Sequence, residues 1–324
     1  MLVLVAPGQG AQKPGLLSPW LELPGVSDRL AEWSAAIDLD LVHYGTEADA
    51  DAIRDTAVAQ PLLVAASLLS AYEVLGGAPG PDVPGATGAP EAHRALDAVG
   101  AFAGHSVGEL AAAALAGVLT PLDAMKVVRT RGKAMAEAAG VTETGMSAVL
   151  GGDPEAVTAH LEKLGLTPAN RNGAGQIVAA GTTEQLAALA EDRPEKARVI
   201  PLKVAGAFHT EHMAPALAPM REAVAGIEPG DPATPYVSNL DGQVVESGQE
   251  IVRRLVHQIS APVRWDLCMD TFKERGVTTL IELCPGGTLT GLAKRGLPGV
   301  RTLALKSPDD LDSARELVAE HLSS

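Results

Sequence analysis

The sequence predicts an α/β protein in which a compact β-α-β-β-α-β unit interrupts a larger α/β domain. Three observations carry that expectation. Two short apolar runs, Leu2–Ala6 and Ala98–Ala103, read as buried parallel strands, and each ends in a glycine-rich turn. Between residues 139 and 205 the pattern changes to short strands alternating with amphipathic helices. The chain is 46% hydrophobic but only 3% aromatic, so a sizeable core must be built mainly from Ala, Val and Leu.

The elements follow in order. Leu2–Ala6 runs into Pro7-Gly8-Gln9-Gly10, a loop with much backbone freedom. Gln60-Pro61 opens a helix reaching about Leu75, with Pro61 expected at the first helical position, where its missing N–H costs nothing. Gly76 to Pro90 is crowded with Gly and Pro and reads as a surface loop. Ala98–Ala103 leads through Gly104-His105-Ser106-Val107-Gly108 into an Ala-rich helix ending near Ala116. Thr120-Pro121-Leu122-Asp123 resembles a capping box and starts a helix running to about Ala138.

The interrupting unit has a strand at Met146–Leu150 and a helix at Pro154–Leu164. Two strands follow, around Pro168–Arg171 and Gln176–Ala180, with Asn172-Gly173 as the hairpin signal between them. A helix at Thr183–Glu191 and a strand at Arg198–Val204 complete the ferredoxin-like order. Residues 139–205 are therefore expected as a ferredoxin-like subdomain, and 1–138 with 206–324 as one discontinuous α/β domain.

Several function classes drop out on composition. A formal net charge of −15 offers no basic footprint for nucleic acid. Cys268 and Cys284 are too few and too isolated for a disulfide framework or a metal site, and read as buried thiols. Met1–Val5 lacks a basic flank or cleavage site, and the longest apolar helical stretch, around Leu110 to Leu119, is half of what spans a bilayer. The expectation is a cytoplasmic protein with no membrane partner.

G-x-S-x-G between a strand and a helix is a nucleophile elbow. Its glycines permit a sharp turn that exposes the Ser106 hydroxyl, and the following helix offers free N–H groups to a developing oxyanion. A serine needs a base. Of eight histidines, His105 points away from the serine at such a turn, His43, His93 and His160 lie in polar stretches, and His321 sits near a frayed end. His209, after the apolar Ala205-Gly206-Ala207-Phe208, has the best context, and His212 and His257 stay open as alternatives.

Gly8-Gln9-Gly10-Ala11-Gln12, Gln60-Pro61, Gly104-His105-Ser106-Val107-Gly108-Glu109, Arg131-Gly132-Lys133 and Gly206-Ala207-Phe208-His209 together resemble the malonyl-CoA:acyl carrier protein transacylase family. That family also supplies the acyltransferase domains of fatty-acid and polyketide synthases. The likeness covers essentially the whole chain. It implies an α/β-hydrolase-like core with the inserted ferredoxin-like subdomain. It implies further that Ser106 and His209 are the nucleophile and base, with the Gln258 main-chain carbonyl orienting the histidine. Relatives often carry Asn where this chain has Ala261, which a main-chain contact tolerates.

By the same resemblance the N–H groups of Gln9 and Val107 form the oxyanion hole. An arginine in mid-helix is ordinarily a solvated surface residue, but Arg131 is implied to hold the malonyl carboxylate. Phe208 is implied to exclude a branched α-carbon, since Phe accompanies malonyl and Ser accompanies methylmalonyl in related polyketide acyltransferases. Gln60, Asn172 and Gln176 are implied as supporting hydrogen-bond donors near the acyl group, while Arg171 stands where relatives are often apolar.

The implied reaction moves malonyl from malonyl-CoA to the phosphopantetheine thiol of an acyl carrier protein, with no metal or bound cofactor. A discrete acyltransferase of polyketide synthesis, a serine esterase or lipase, and a non-catalytic scaffold are the alternatives. Carrier proteins and CoA are anionic, as is this chain, so local cations must do the docking; Arg129, Lys133, Arg264, Lys294 and Arg295 are the candidates.

Overall fold

The two apolar runs pair directly. In a computed structural model, which describes residues 1–77 and 90–322, β1 (Leu2–Ala6) lies parallel to β2 (Val99–Gly104). Four strands from elsewhere extend this pair: β7 (Tyr236–Val237), β8 (Val244–Val245), β9 (Thr279–Glu282) and β10 (Arg301–Ala304). The sheet order is β10-β9-β1-β2-β7-β8, parallel except for the β7–β8 edge pair.

Both faces of this sheet are covered, so its central strands are apolar throughout rather than alternating. Leu2, Leu4 and Phe102 face a large core shared with the helices Thr56–Leu75, Gly108–Leu115 and Pro121–Ala139. Val3, Val5 and Ala103 face a second core filled by the helices Trp265–Glu274 and Thr288–Gly296. Both cysteines are buried and free.

The helix expected to begin at Pro61 begins five residues earlier, at Thr56, where the Asp55 side chain caps the Ala57 N–H. Pro61 is thus internal and leaves the Ala57 carbonyl without its helical donor. Arg129 Nη1 supplies that bond at 2.8 Å. The same helix corrects the estimate of the longest apolar stretch. Thr56–Leu75 has 20 residues and is apolar enough to cross a membrane by length and composition, yet all but Ala57 and Glu73 are buried inside the protein. The Gly- and Pro-rich segment read as a surface loop falls mostly at 78–89, outside the described residues.

The second sheet contains β3 (Thr144–Gly151), β4 (Thr167–Gly173), β5 (Gln176–Thr182) and β6 (Ala197–Pro201), all antiparallel in the order β4-β5-β3-β6. Helices Pro154–Lys163 and Thr183–Glu191 pack on it, which completes the ferredoxin-like arrangement. The β4–β5 hairpin turns at Ala174-Gly175, both left-handed, rather than at Asn172-Gly173. That shift keeps Asn172 inside a strand, where its side chain is buried. The last strand stops at Pro201, short of the expected Val204.

Candidate active site

The first two strands deliver the site at their carboxyl ends. β2 lies on one side of β1 and β9 on the other, the kind of switch point where open α/β sheets bind ligands. A Cβ on Gly104 would overlap the Gly108 backbone, and one on Gly108 would overlap the Ala6 carbonyl, so only glycines allow the elbow to fold this tightly. Gly8 sits against the same turn, where a Cβ would come within 2.9 Å of the His105 carbonyl oxygen.

Ser106 has φ 53°, a left-handed conformation that costs a non-glycine residue energy unless the surroundings hold it. Asn239 holds it from both sides. Its Oδ1 accepts from the Ser106 N–H at 2.8 Å, and its Nδ2 donates to the Gly104 carbonyl at 2.7 Å. The Ser106 hydroxyl then stands in a cavity of about 210 Å³ between the two sheets.

His209 is also left-handed, at φ 62°, and only 3% exposed. Its Nε2 lies 2.7 Å from Ser106 Oγ, and its Nδ1 lies 2.8 Å from the Gln258 carbonyl oxygen. A carbonyl only accepts, so Nδ1 carries the proton and Nε2 is left to accept from the serine. Burial first, and the Arg131 charge second, push the His209 pKa down to about 3, so the imidazole is neutral at neutral pH.

The geometry therefore separates the three open histidines. His212 sits in the short turn of helix after His209, and His257 is exposed beside Arg221 and Arg253 on a different groove. His43 and His160 lie beside Glu47 and Asp192, and His321 bonds Leu317 and Thr278. The His93 side chain is outside the described residues.

Arg131 is 2% exposed, not a surface arginine. Nη1 donates to Gln60 Oε1 at 2.6 Å, and Nη2 to Gln258 Oε1 at 2.8 Å and to Ser106 Oγ at 3.4 Å. Burial lowers its pKa to about 10, which still leaves a cation at neutral pH. Gln60, expected as a donor near the acyl group, turns its Oε1 to the guanidinium and donates from Nε2 to Met135 Sδ at 3.5 Å.

The remaining expected residues line the same cavity. Gln9 and Val107 flank Ser106, and the Gln9 side chain is tied to Thr56 Oγ1 at 3.2 Å, which fixes its loop. Phe208 is buried beside the base. Asn172 Oδ1 accepts from His105 Nε2 at 2.8 Å, and its Nδ2 donates to Gln176 Oε1 at 3.0 Å. His105, set aside from sequence, thus belongs to the cavity wall.

Two further residues escaped the sequence reading. Glu109 lies beneath the elbow, 1% exposed, accepting from the Asn239 N–H at 2.6 Å and from Gln258 Nε2. An acid in an otherwise apolar helix was the available signal. Asn239 gave none, since Asn239-Leu240-Asp241-Gly242 reads as an ordinary turn.

The profile of the acyl transferase domain family matches residues 3–306. The chain belongs to that family. As an acyl transferase it is 52% identical over 321 residues to the malonyl CoA-acyl carrier protein transacylase of Mycobacterium tuberculosis, covering 98% of this chain and 100% of that one. The crystal structure of the transacylase MCAT from Mycobacterium tuberculosis superposes with a TM-score of 0.89 at 51% identity, covering 97% of this chain and 99% of that one. A malonyl-transacylase solved in complex with its type II polyketide acyl carrier protein superposes at 0.84 with 31% identity, covering 97% and 99%. This acyl transferase is an enzyme with the mixed α/β fold of those relatives.

Two docking candidates are engaged within the chain. Arg129 is spent on the carbonyls of Ile37, Asp38 and Ala57, and Arg264 forms a two-pronged pair with Asp266 at 2.9 Å. Lys133, Lys294 and Arg295 are exposed, the last two on the helix whose Thr288, Leu289 and Leu292 line the cavity.

Proposed function

We propose that this acyl transferase carries malonyl from malonyl-CoA to the phosphopantetheine thiol of an acyl carrier protein, by way of a malonyl ester on Ser106, and so supplies fatty-acid synthesis. Ser106 Oγ attacks the thioester carbon while His209 Nε2 takes its proton. The oxyanion formed is met by the N–H groups of Gln9 and Val107. When the C–S bond breaks, His209 returns the proton to the departing CoA thiol. The carrier thiol then gives its proton to His209 and attacks the ester carbon; as the ester C–O bond breaks, His209 Nε2 returns that proton to Ser106 Oγ and the free serine is restored. The chemistry draws on the chain's own side chains and backbone. The partners are CoA thioesters and the carrier protein, in the cytoplasm.

One observation carries this reading: a buried arginine lies 3.4 Å from the same hydroxyl that a neutral histidine contacts at 2.7 Å. A cation beside the nucleophile suits an acyl group that ends in a carboxylate. The names of the relatives agree with it. A discrete enzyme of polyketide synthesis is the second reading, favoured by the likeness to the solved polyketide carrier complex. Incubation with radiolabelled malonyl-CoA, with and without carrier proteins of each kind, tests both. Label on Ser106 that passes to the carrier is expected. Release of free malonate at the same rate without carrier would instead mark a hydrolase.

A further inference from the structure

We propose that Glu109 is a positioning residue for Arg131: it is the resident counter-charge, and it takes up a proton when a carboxylate-bearing acyl group enters. The inference rests on the malonyl-transfer reading and adds to it how the site tells malonyl from acetyl.

Glu109 is not among the residues that line the cavity, yet it is wired to Ser106, Arg131 and His209. Gln258 is the wire. Its Nε2 donates to Glu109 Oε2 and to the Ser106 carbonyl at 3.1 Å, while its Oε1 accepts from Arg131 Nη2 at 2.8 Å. Only one orientation of the amide satisfies all three contacts. A flipped amide would set N–H against the guanidinium and oxygen against the carboxylate. An ionised Glu109 therefore fixes the amide, and the amide fixes one arm of the arginine. The backbone of the same Gln258 holds His209.

At about pH 7.5 the empty site thus holds one buried cation and, on Glu109, a mostly ionised carboxylate. A malonyl carboxylate at Arg131 makes it two anions around one cation in a region of low dielectric, where like charges disfavour joint ionisation. Glu109 is the group able to yield: burial already pushes its carboxyl up to about 7, against the pull of its donors and Arg131. A place for the proton exists, because the buried Tyr236 hydroxyl faces Glu109 and can turn from donating to the carboxylate to accepting from the carboxylic acid.

The titratable and charged groups around Glu109 are Arg131 from the helix Pro121–Ala139, Tyr236 from β7, Cys268 from Trp265–Glu274, and Arg254, which acts on Tyr236 from Gly248–His257. His209 is reached through Arg131 and Gln258. β1 and β2 carry no charge, and on Thr56–Leu75 the titratable Tyr72 and Glu73 face Arg29 and Arg315 instead. Acetyl brings no charge and calls for no proton.

Calorimetric binding of malonyl-CoA and acetyl-CoA to a Ser106→Ala variant, in buffers of different ionisation enthalpy at about pH 7.5, measures the proton directly. Both ligands share the CoA phosphates, so their difference reports the malonyl carboxylate. The expected result is net uptake of several tenths of a proton with malonyl-CoA beyond that with acetyl-CoA, abolished when Glu109→Gln is added. Equal uptake for the two thioesters, or a difference that survives Glu109→Gln, overturns the proposal. Should Glu109→Gln fail to fold, the two-ligand difference is measured with His209→Ala added, and a difference lost there assigns the proton to His209 and overturns the proposal. Failure of the unmodified enzyme to form malonyl-Ser106 would overturn the transfer reading itself, a separate outcome.

Discussion

Replacing Arg131 with alanine separates recognition of the acyl group from the chemistry of the serine. The guanidinium is nearly inaccessible, and two glutamine oxygens already set its plane. Held this way, it can offer a carboxylate charge-assisted bonds without first losing rotamer freedom. Such bonding is worth about 1.5–3 kcal/mol, and with about 1.4 kcal/mol to a decade the malonyl-to-acetyl ratio of kcat/KM should fall by one to two decades. Acetyl loading should fall less, because the Ser106–His209 contact does not involve the arginine. Loss of the donor also orphans Gln60 Oε1 and Gln258 Oε1, at about 1–3 kcal/mol each, offset in part by removal of a buried charge. Acylation of Ser106 in single turnover, followed by intact mass for each thioester, is the assay, with thermal unfolding as the control for folding. Equal losses for malonyl and acetyl in a folded variant would refute the assignment.

Asn239→Ala removes the ties on both sides of the elbow and should destabilise by roughly 2–5 kcal/mol, with acylation lost more steeply than stability; a mild, purely structural effect in urea unfolding would count against its role. Because the folded His209 pKa is lowered to about 3, the base stays unprotonated as pH falls through about 6.5. Acetyl loading should therefore stay flat down to about pH 5, and an inflection near 6.5 in the pH–rate profile would contradict this. The same shift has a stability consequence of defined sign: the unfolded chain binds a proton that the folded one refuses, so stability drops as pH falls below about 6.5. Phe208→Ser should raise the use of methylmalonyl-CoA relative to malonyl-CoA by roughly a decade, and an unchanged ratio would assign the ring to packing alone. Charge reversal at Lys294 and Arg295 should raise KM for carrier protein and weaken its salt dependence, and leaving both unchanged would remove that helix from the docking surface.

The elbow, the two strands feeding it and the ferredoxin-like order could be read from the sequence because each is a local pattern. The helix start at Thr56 could not, because it depends on Arg129 arriving from another helix to satisfy the carbonyl that Pro61 strands. Asn172 was misplaced for a related reason. Asn-Gly is a turn signal by itself, but the strand pairing carried the register two residues further. The site residues that came from family resemblance line one cavity, apart from Gln258, which lies behind it and holds His209 and Arg131; among them is an arginine whose helix position alone argued for the surface. Glu109 and Asn239 stayed hidden because their significance is purely tertiary: each joins segments 130 residues apart.

The small sheet is not hung on its two linkers alone. Arg171 N–H donates to the Val263 carbonyl at 2.9 Å, and Val263 N–H to Ala169 at 2.8 Å, with Arg171 and Asp266 paired alongside at 3.7 Å. Val263 lies five residues beyond Gln258, whose carbonyl steadies the base. The roof of the cavity is therefore bound along one edge, like a book along its spine, to the segment that aims the histidine. Displacing that edge strand would break the two Val263 bonds and so disturb the stretch of chain that carries Gln258 and, through it, the histidine.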